Sequence, residues 1–206
     1  MMDVYFPLCT GVPPEGAGRE AGPRSGRILL KVKFHEGGCM KKVAVIMGSA
    51  SDLPVAQKAV DTLKEFGVPC TVRVLSAHRT AEQARTFAVG AREKGYGALI
   101  AVAGMAAHLA GALAANTTLP VVGVPAVSGA LGGIDALLST VQMPPGIPVA
   151  TVAINGGKNA ALLCVQMLSL SDESLADKLA KARETMEREA LKKDAELQQS
   201  LSDAEE

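Results

Sequence analysis

From residue 40 onward, short apolar runs alternate with longer amphipathic segments. The apolar runs are rich in valine, isoleucine and alanine and carry almost no charge, which is typical of strands buried in a parallel sheet. Predicted strands lie at 43–47, 71–75, 98–103, 121–124 and 149–154. Predicted helices follow them in turn, at 53–66, 81–94, 108–116, 134–142 and 158–170. Strict alternation of this kind predicts one α/β domain over residues 40–170, with a five-stranded parallel sheet and helices on both faces.

The segment 171–206 has a different pattern. One apolar stripe recurs along it at steps of three and four, formed by Leu175, Leu179, Ala182 and Met186. Charged residues fill the other faces, so the pattern predicts a C-terminal helix with Ser171 as its N-cap. So polar a helix needs a partner surface for its stripe, either on its own domain or on a neighbouring subunit. The last dozen residues are predicted to fray.

Residues 1–39 form a third type of segment. The part from 11 to 26 is rich in Gly, Pro, Arg and Glu and has no apolar periodicity, which is the composition of a disordered chain. It offers neither the apolar run of a secretory signal nor the acid-poor composition of a transit peptide. Glu36-Gly37-Gly38 can be encoded by GAAGGAGGN, a purine-rich ribosome-binding sequence shortly before Met40. We therefore expect residues 1–39 to be a disordered leader or a mis-assigned start.

Composition excludes several classes of function. The 21 basic residues balance the 21 acidic ones, so the chain lacks the electrostatic footprint of a nucleic-acid-binding protein. Tryptophan is absent and only two tyrosines occur, which also disfavours base stacking. The four cysteines form no C-x-x-C pair, so we expect neither a zinc site nor a disulfide framework, and we expect reduced thiols in a cytoplasmic protein.

One stretch, 98–115, has no formally charged residue and is long enough to suggest a membrane span. It nevertheless contains His108 and two glycines, and much of it is alanine. A buried strand, loop and helix is therefore the better interpretation, and no membrane association is expected.

The candidate chemistry lies in the loops that follow the predicted strands. The carboxyl ends of parallel strands open at one edge of the sheet, where ligands bind. The loop 48–52 has the sequence Gly-Ser-Ala-Ser-Asp and precedes a helix, so its backbone N–H groups and the hydroxyls of Ser49 and Ser51 suit a phosphate. Asp52 could accept hydrogen bonds from ribose hydroxyls. The alternative is that Ser51 or Asp52 only caps the helix.

The loop 76–80, Ser-Ala-His-Arg-Thr, is more informative. Arg79 can clamp a phosphate through two N–H groups, and His78 is a residue type that carries protons near neutral pH. The alternative is a surface histidine without a role. His108, in the loop after the third strand, is either a second ligand contact or a buried structural residue. Neither histidine has a carboxylate or cysteine at ligand spacing, so no metal is expected.

Two further loops, 125–133 and 155–159, are rich in glycine and could approach a ligand through their backbone. Ordinary turn chemistry explains them equally well. Lys158, at the start of the last predicted domain helix, is best interpreted as a solvated charge.

Several stretches, in this order, resemble the PurE family of purine-biosynthesis enzymes, and within it the mutase class. They are M-G-S-A-S-D at 47–52, S-A-H-R-T at 76–80, A-G-M-A-A-H-L-A-G at 103–111, P-V-V-G-V-P at 120–125, D-A-L-L-S-T-V-Q-M-P at 135–144, G-I-P-V-A-T-V-A-I at 146–154 and N-A-A-L-L at 159–163. The resemblance covers about residues 40 to 180.

The resemblance implies a three-layer flavodoxin-like fold, a homo-octamer and no metal or organic cofactor. The implied substrate is a small ribonucleotide, N5-carboxyaminoimidazole ribonucleotide, whose carboxylate moves from the exocyclic nitrogen to ring carbon C4. His78 matches the catalytic histidine. Substrate-binding positions are matched by Ser49, Ser51, Asp52, Ser76, Arg79 and His108. Within this set Ser51 and Arg79 are implied to bind phosphate, and Asp52 to bind ribose.

His108 favours the mutase class, since a sister class that carboxylates aminoimidazole ribonucleotide with free carbon dioxide lacks this histidine. The chain departs from the family at three loop positions. Ala81 and Ala110 stand where the family has proline, and Met105 stands where glycine is common. The alternatives are the carboxylase, a non-catalytic nucleotide- or flavin-binding module, and a structural oligomerisation domain. No aromatic residue in the candidate loops could sandwich a flavin, and an oligomerisation domain would not need His78 and Arg79 beside a phosphate-type loop.

Overall fold

The computed structural model describes residues 40–204, and the predicted leader 1–39 lies outside them. The described chain forms one parallel sheet with helices on both faces. The strands are β1 (Lys42–Met47), β2 (Cys70–Val74), β3 (Tyr96–Gly104), β4 (Val121–Ala126) and β5 (Ala150–Thr151). The helices are α1 (Leu53–Glu65), α2 (Ala81–Val89), α3 (Leu109–Ala114), α4 (Ile134–Val141), α5 (Gly157–Ser169) and α6 (Glu173–Asp203), and a 3₁₀ turn at Ala50–Asp52 precedes α1.

The strands lie in the order β2-β1-β3-β4-β5, which is the order of flavodoxin-like folds. Every neighbouring pair is parallel. The chain moves from β1 outward to β2 and then crosses back to β3 on the other side of β1, so the order reverses between β1 and β3. Ligands of open α/β sheets bind beside such a reversal, outside the carboxyl ends of the strands.

The core lies in two layers because the central strands bury side chains on both faces. On one face, Val43 and Val45 of β1 pack with α1, α5 and the start of α6. On the other, Ala44 and Ile46 pack with α2 and α3. The residues of β1 from 43 to 47 are all buried, as its uninterrupted apolar run predicts. This double burial holds the carboxyl end of β1 rigidly in the middle of the sheet.

The stretch 98–115 forms a buried strand, a loop and a short helix, as the sequence predicts. It provides β3, the strand that lies between β1 and β4. Across residues 40–204, none of the helices combines the length and the apolar composition needed to cross a membrane.

The predicted boundaries are wrong in three places. The fifth strand was predicted at 149–154 but pairs only over Ala150–Thr151, because Pro148 cannot donate to a ladder and Asn155 turns the chain with a φ of 59°. The second helix ends at Val89 because Gly90 follows it, five residues before the predicted end.

The third difference concerns the C-terminal helix. Its N-cap is Asp172 instead of Ser171, since the Asp172 carboxylate accepts hydrogen bonds from the backbone N–H groups of Ser174 and Leu175. The helix continues to Asp203, into the region for which fraying is predicted. Leu175 is fully buried against the domain, so the first turn of the apolar stripe finds its partner surface within the same chain.

Candidate active site

The loop after β1 is shaped by its own polar side chains. Ser49 is the N-cap of the 3₁₀ turn, and its Oγ accepts hydrogen bonds from Ser51 N at 3.3 Å and from Ser51 Oγ at 2.9 Å. In return, Asp52 Oδ2 accepts a hydrogen bond from Ser49 N at 3.0 Å, which completes a capping box. The alternative that Ser51 or Asp52 caps the helix is wrong, because Asp52 stands at the N-cap position of α1 without a side-chain capping bond and accepts from Ser49 N instead.

Asp52 is 9% exposed, so its carboxylate lies at the floor of the loop. Burial raises the pKa of Asp52 above the ordinary value of aspartate, and the hydrogen bond from Ser49 N opposes that effect. Because one oxygen of this buried carboxylate accepts from Ser49 N, the second oxygen is available to accept a hydrogen bond from a ligand hydroxyl.

The loop after β2 is also braced from within. Ser76 Oγ accepts hydrogen bonds from the backbone N–H groups of His78 at 3.3 Å and Arg79 at 3.1 Å. Thr80 Oγ1 accepts from Ser76 N at 2.8 Å and donates to Ser76 O at 3.2 Å. The first and last residues of Ser-Ala-His-Arg-Thr thus fold the turn that presents the histidine and the arginine. This accounts for the motif in physical terms.

Arg79 joins the two loops. Its Nη2 donates a hydrogen bond to Gly48 O at 3.1 Å, at the point where β1 ends. The guanidinium group therefore lies beside the backbone and hydroxyls of the β1 loop, where it adds a positive charge to a site rich in N–H and O–H donors. Such a combination of donors suits a phosphate.

His78 and His108 touch each other. His78 Nε2 lies 2.8 Å from His108 Nδ1, and the rings meet edge to face with centroids 5.0 Å apart. At this distance one ring donates its N–H and the other accepts, and the tautomers decide which ring donates. The alternative that His108 is buried in the core is wrong, because its side chain is exposed and faces the same cavity as His78.

The structure explains the three departures from the family pattern. Ala81 is the first residue of α2, and Ala110 is the second residue of α3. Proline is tolerated at such positions because no helical N–H is lost. Alanine keeps these helix starts intact. Met105 adopts a φ of 54°, a left-handed conformation that glycine adopts freely and that other residues adopt at a cost of about 1–3 kcal/mol. Glycine would adopt this conformation without that cost, whereas Met105 carries it.

These loops enclose one cavity of about 480 Å³ at the carboxyl edge of the sheet. All of the predicted site residues line it, namely Ser49, Ser51, Asp52, Ser76, His78, Arg79 and His108. Among the described residues there is no group of three His, Cys, Asp or Glu side chains that could hold a metal ion. The cavity thus joins an end whose donors and positive charge suit an anion, formed by the β1 and β2 loops, to a histidine pair of a residue type that can transfer a proton.

One polar side chain that lines this cavity is not among the predicted site residues, that of Ser128 on the loop after β4. The sequence indicates only the backbone of that loop, through Pro125 and its glycines, as a ligand contact. The glycine-rich loop 155–159 supports the loop after β4 through hydrogen bonds. Asn155 N donates to Pro125 O at 2.8 Å, and Asn155 Oδ1 accepts from Val127 N at 3.0 Å. Lys158 is exposed and does not line the cavity, as expected of a solvated charge.

The strand order and the position of the cavity define a flavodoxin-like α/β protein with a nucleotide-type site at the reversal of strand order. Comparison with known proteins then identifies the family. The sequence profile described as AIR carboxylase matches residues 42–189, and the chain belongs to this family.

Curated relatives are similar over most of the described chain. The chain is 55% identical over 149 residues to the N5-carboxyaminoimidazole ribonucleotide mutase of Pyrococcus abyssi, covering 72% of this chain and 86% of that protein. It is 50% identical over 157 residues to the mutase of the same name from Methanocaldococcus jannaschii, covering 76% and 98%. A crystal structure of Treponema denticola PurE superposes with a TM-score of 0.69 at 31% identity, covering 76% of this chain and 98% of that one.

The raised pKa of Asp52 has a measurable consequence for stability. In the pH range between the unfolded pKa of about 3.9 and the higher folded pKa, the folded state holds more protons than the unfolded state. The free energy of unfolding contributed by Asp52 must therefore fall as the pH rises through this range. Asp52→Asn keeps an acceptor for Ser49 N but removes the titration.

We expect the unfolding free energy of the parent chain, relative to that of Asp52→Asn, to decrease as the pH is raised from 4 to 6. Urea unfolding at several pH values measures this difference. Asp61→Asn, on the exposed face of α1, is the matched control. A difference that stays constant or grows with pH would contradict the burial effect.

Proposed function

We propose that this chain is an N5-carboxyaminoimidazole ribonucleotide mutase of purine biosynthesis, which moves a carboxylate from the exocyclic nitrogen of the substrate to ring carbon C4. The observation that carries the proposal is the contact between His78 Nε2 and His108 Nδ1 at 2.8 Å, inside a cavity that also contains the phosphate-type loop. Membership of the AIR carboxylase family and the names of the relatives support it.

The proposed orientation of the substrate follows from the loops. The phosphate binds to the hydroxyls of Ser49 and Ser51 and to the guanidinium of Arg79, because O–H donors and positive charge meet there. The ribose binds to Asp52, whose carboxylate lies at the base of the same loop. The aminoimidazole ring then extends toward His78 and His108, the two histidines of the cavity.

The proposed reaction uses one proton in two steps. His78 protonates the carbamate nitrogen, the bond from nitrogen to the carboxylate carbon breaks, and carbon dioxide and aminoimidazole ribonucleotide form. C4 of the electron-rich ring then attacks the trapped carbon dioxide, and His78 removes the proton that C4 carried. The nitrogen gains one proton and C4 loses one, so the sequence balances as an isomerisation. His108 holds His78 in place through the shared hydrogen bond and offers a second position for the proton.

A homo-octamer in the cytoplasm is part of the proposal. Large apolar side chains are exposed on α4 and the loop before it, namely Val127, Leu131, Ile134, Leu138 and Val141. An apolar patch of this kind marks an interaction surface. Met105, which lines the cavity, is 61% exposed, so a neighbouring subunit on this side would also help to exclude water. Excluding water keeps carbon dioxide near C4 between the two steps.

A paired ultraviolet assay tests the activity. One reaction contains freshly made N5-carboxyaminoimidazole ribonucleotide, and the other contains aminoimidazole ribonucleotide with excess bicarbonate, at the same enzyme concentration. We expect rapid formation of the C4-carboxylated product only in the first. Preference for the second substrate would establish the carboxylase instead and remove the argument based on His108. No reaction in either would favour a non-catalytic nucleotide-binding module.

Substitution of His78 tests the proposed proton transfer. His78→Asn retains a polar side chain but cannot exchange a proton at neutral pH, so we expect turnover to fall by about 10²–10⁴-fold or more. Binding of aminoimidazole ribonucleotide, measured by calorimetry, should remain because the phosphate and ribose contacts are unchanged. Lys158→Ala, at an exposed position outside the cavity, is the control. Unchanged turnover in His78→Asn would refute the role of His78.

Light scattering tests the oligomeric state. We expect a mass eight times the 21.2 kDa of one chain. Leu138→Glu places a charge in the exposed apolar patch of α4 and should lower the mass, whereas Leu170→Glu, at an isolated position that is 86% exposed, should leave it unchanged. A peak at the mass of a single chain for the parent protein would contradict the proposed assembly.

A further inference from the structure

Ser128, one of the residues that line the cavity, has an unsatisfied polar group. Its Oγ is buried and makes no hydrogen bond within residues 40–204, although the residue lines the cavity with His78 and His108. Buried hydroxyls almost always have a partner, and leaving one unpaired costs about 1–3 kcal/mol. Because the residue that carries this hydroxyl lines a ligand cavity, a bound ligand can supply the missing partner.

The position of Ser128 is built by its neighbours. A Cβ added to Gly104, at the end of β3, would overlap Ser128 Oγ, so the serine side chain occupies the space that glycine leaves free. Asn155 holds the preceding residues by donating to Pro125 O and accepting from Val127 N. Asn155 does this with a φ of 59°, a conformation that asparagine adopts more readily than most residues. The hydroxyl is therefore placed by backbone contacts on two sides.

The strand order shows which end of the ligand Ser128 meets. The proposed phosphate site lies on the loops after β1 and β2, whereas Ser128 follows β4, with β3 between β1 and β4. Neighbouring strands are about 4.8 Å apart, so β4 is roughly 10 Å from β1. A nucleotide bound by its phosphate at the β1 loop has its base at about this distance. Ser128 thus lies at the base end of the cavity, on the same side as His108.

We propose that the Ser128 hydroxyl donates a hydrogen bond to the carboxylate on the aminoimidazole ring, and so distinguishes carboxylated from uncarboxylated ribonucleotides. This inference rests on the proposed mutase function. The carboxylate is the negative charge at the base end, and an ionised acceptor forms stronger hydrogen bonds than a neutral one. A hydroxyl with no partner among residues 40–204 is free to donate to it.

Comparing two ligands that differ only in this carboxylate tests the inference. The dissociation constants of 4-carboxy-5-aminoimidazole ribonucleotide and of aminoimidazole ribonucleotide are measured by calorimetry for the parent, Ser128→Ala and Ser128→Thr. Ser128→Ala should weaken binding of the carboxylated ligand by about 10- to 100-fold, the loss expected for a hydrogen bond to a charged group, and change binding of the other by less than about threefold. Ser128→Thr keeps the hydroxyl and should retain most of the preference. Ser200→Ala, near the exposed end of α6, should match the parent.

The outcomes separate the two proposals. Equal weakening of both ligands by Ser128→Ala, or a lowered melting temperature, would show that the serine only shapes the loop and would overturn the inference. Unchanged binding of both would also overturn it. Removing an unpaired hydroxyl should instead leave the melting temperature the same or higher. If the parent chain binds neither ligand and turns over no substrate, the proposed mutase function itself is refuted. If the parent is active but Ser128→Ala does not change the binding of either ligand, only the role of Ser128 is refuted.

Discussion

The site depends on one constraint, which is that the parallel strands are in register at the carboxyl edge of the sheet. Met47 is in register with Val74 on one side and with Val102 on the other, and Val102 is in register with Val124. The four loops that follow therefore start from the same height. Backbone hydrogen bonds continue to the start of the loops, from Leu75 N to Met47 O and from Gly48 N to Val102 O. Residues far apart in sequence, such as His78 and His108, meet because their strands flank β1 on opposite sides.

Short polar side chains in this site divide between two tasks. Ser76 and Thr80 satisfy backbone groups of their own loop, and Ser49 and Asp52 do the same in the loop after β1. They create the shape that presents His78 and Arg79. Ser128 differs from them because its hydroxyl has no partner among residues 40–204. A count of polar residues in the loops would not separate these tasks, since only the hydrogen-bond pattern shows which groups remain for a ligand.

Small residues keep the layers and loops close together. A Cβ on Gly157, at the start of α5, would overlap Val55 O of α1, and a Cβ on Gly123 would overlap the side chain of Thr140. The same close approach at Gly104 makes room for Ser128. The high content of alanine and glycine thus serves packing across the whole domain. Met105 shows the reverse case, in which a large side chain occupies a left-handed backbone position at the mouth of the cavity.

The sequence by itself determined the alternation of strands and helices, the parallel sheet and the loops that hold the candidate chemistry. It could do so because uninterrupted apolar runs such as 43–47 are only stable when buried on both faces, and because turn residues mark the loops between them. Motif resemblance implied roles for the residues from Ser49 to His108, and these roles stay predictions. The tertiary structure alone decided that His78 and His108 share a hydrogen bond, that Asp52 completes a capping box, and that β5 pairs over only two residues. These features depend on which strands become neighbours and on side-chain directions in three dimensions, and local sequence contains neither.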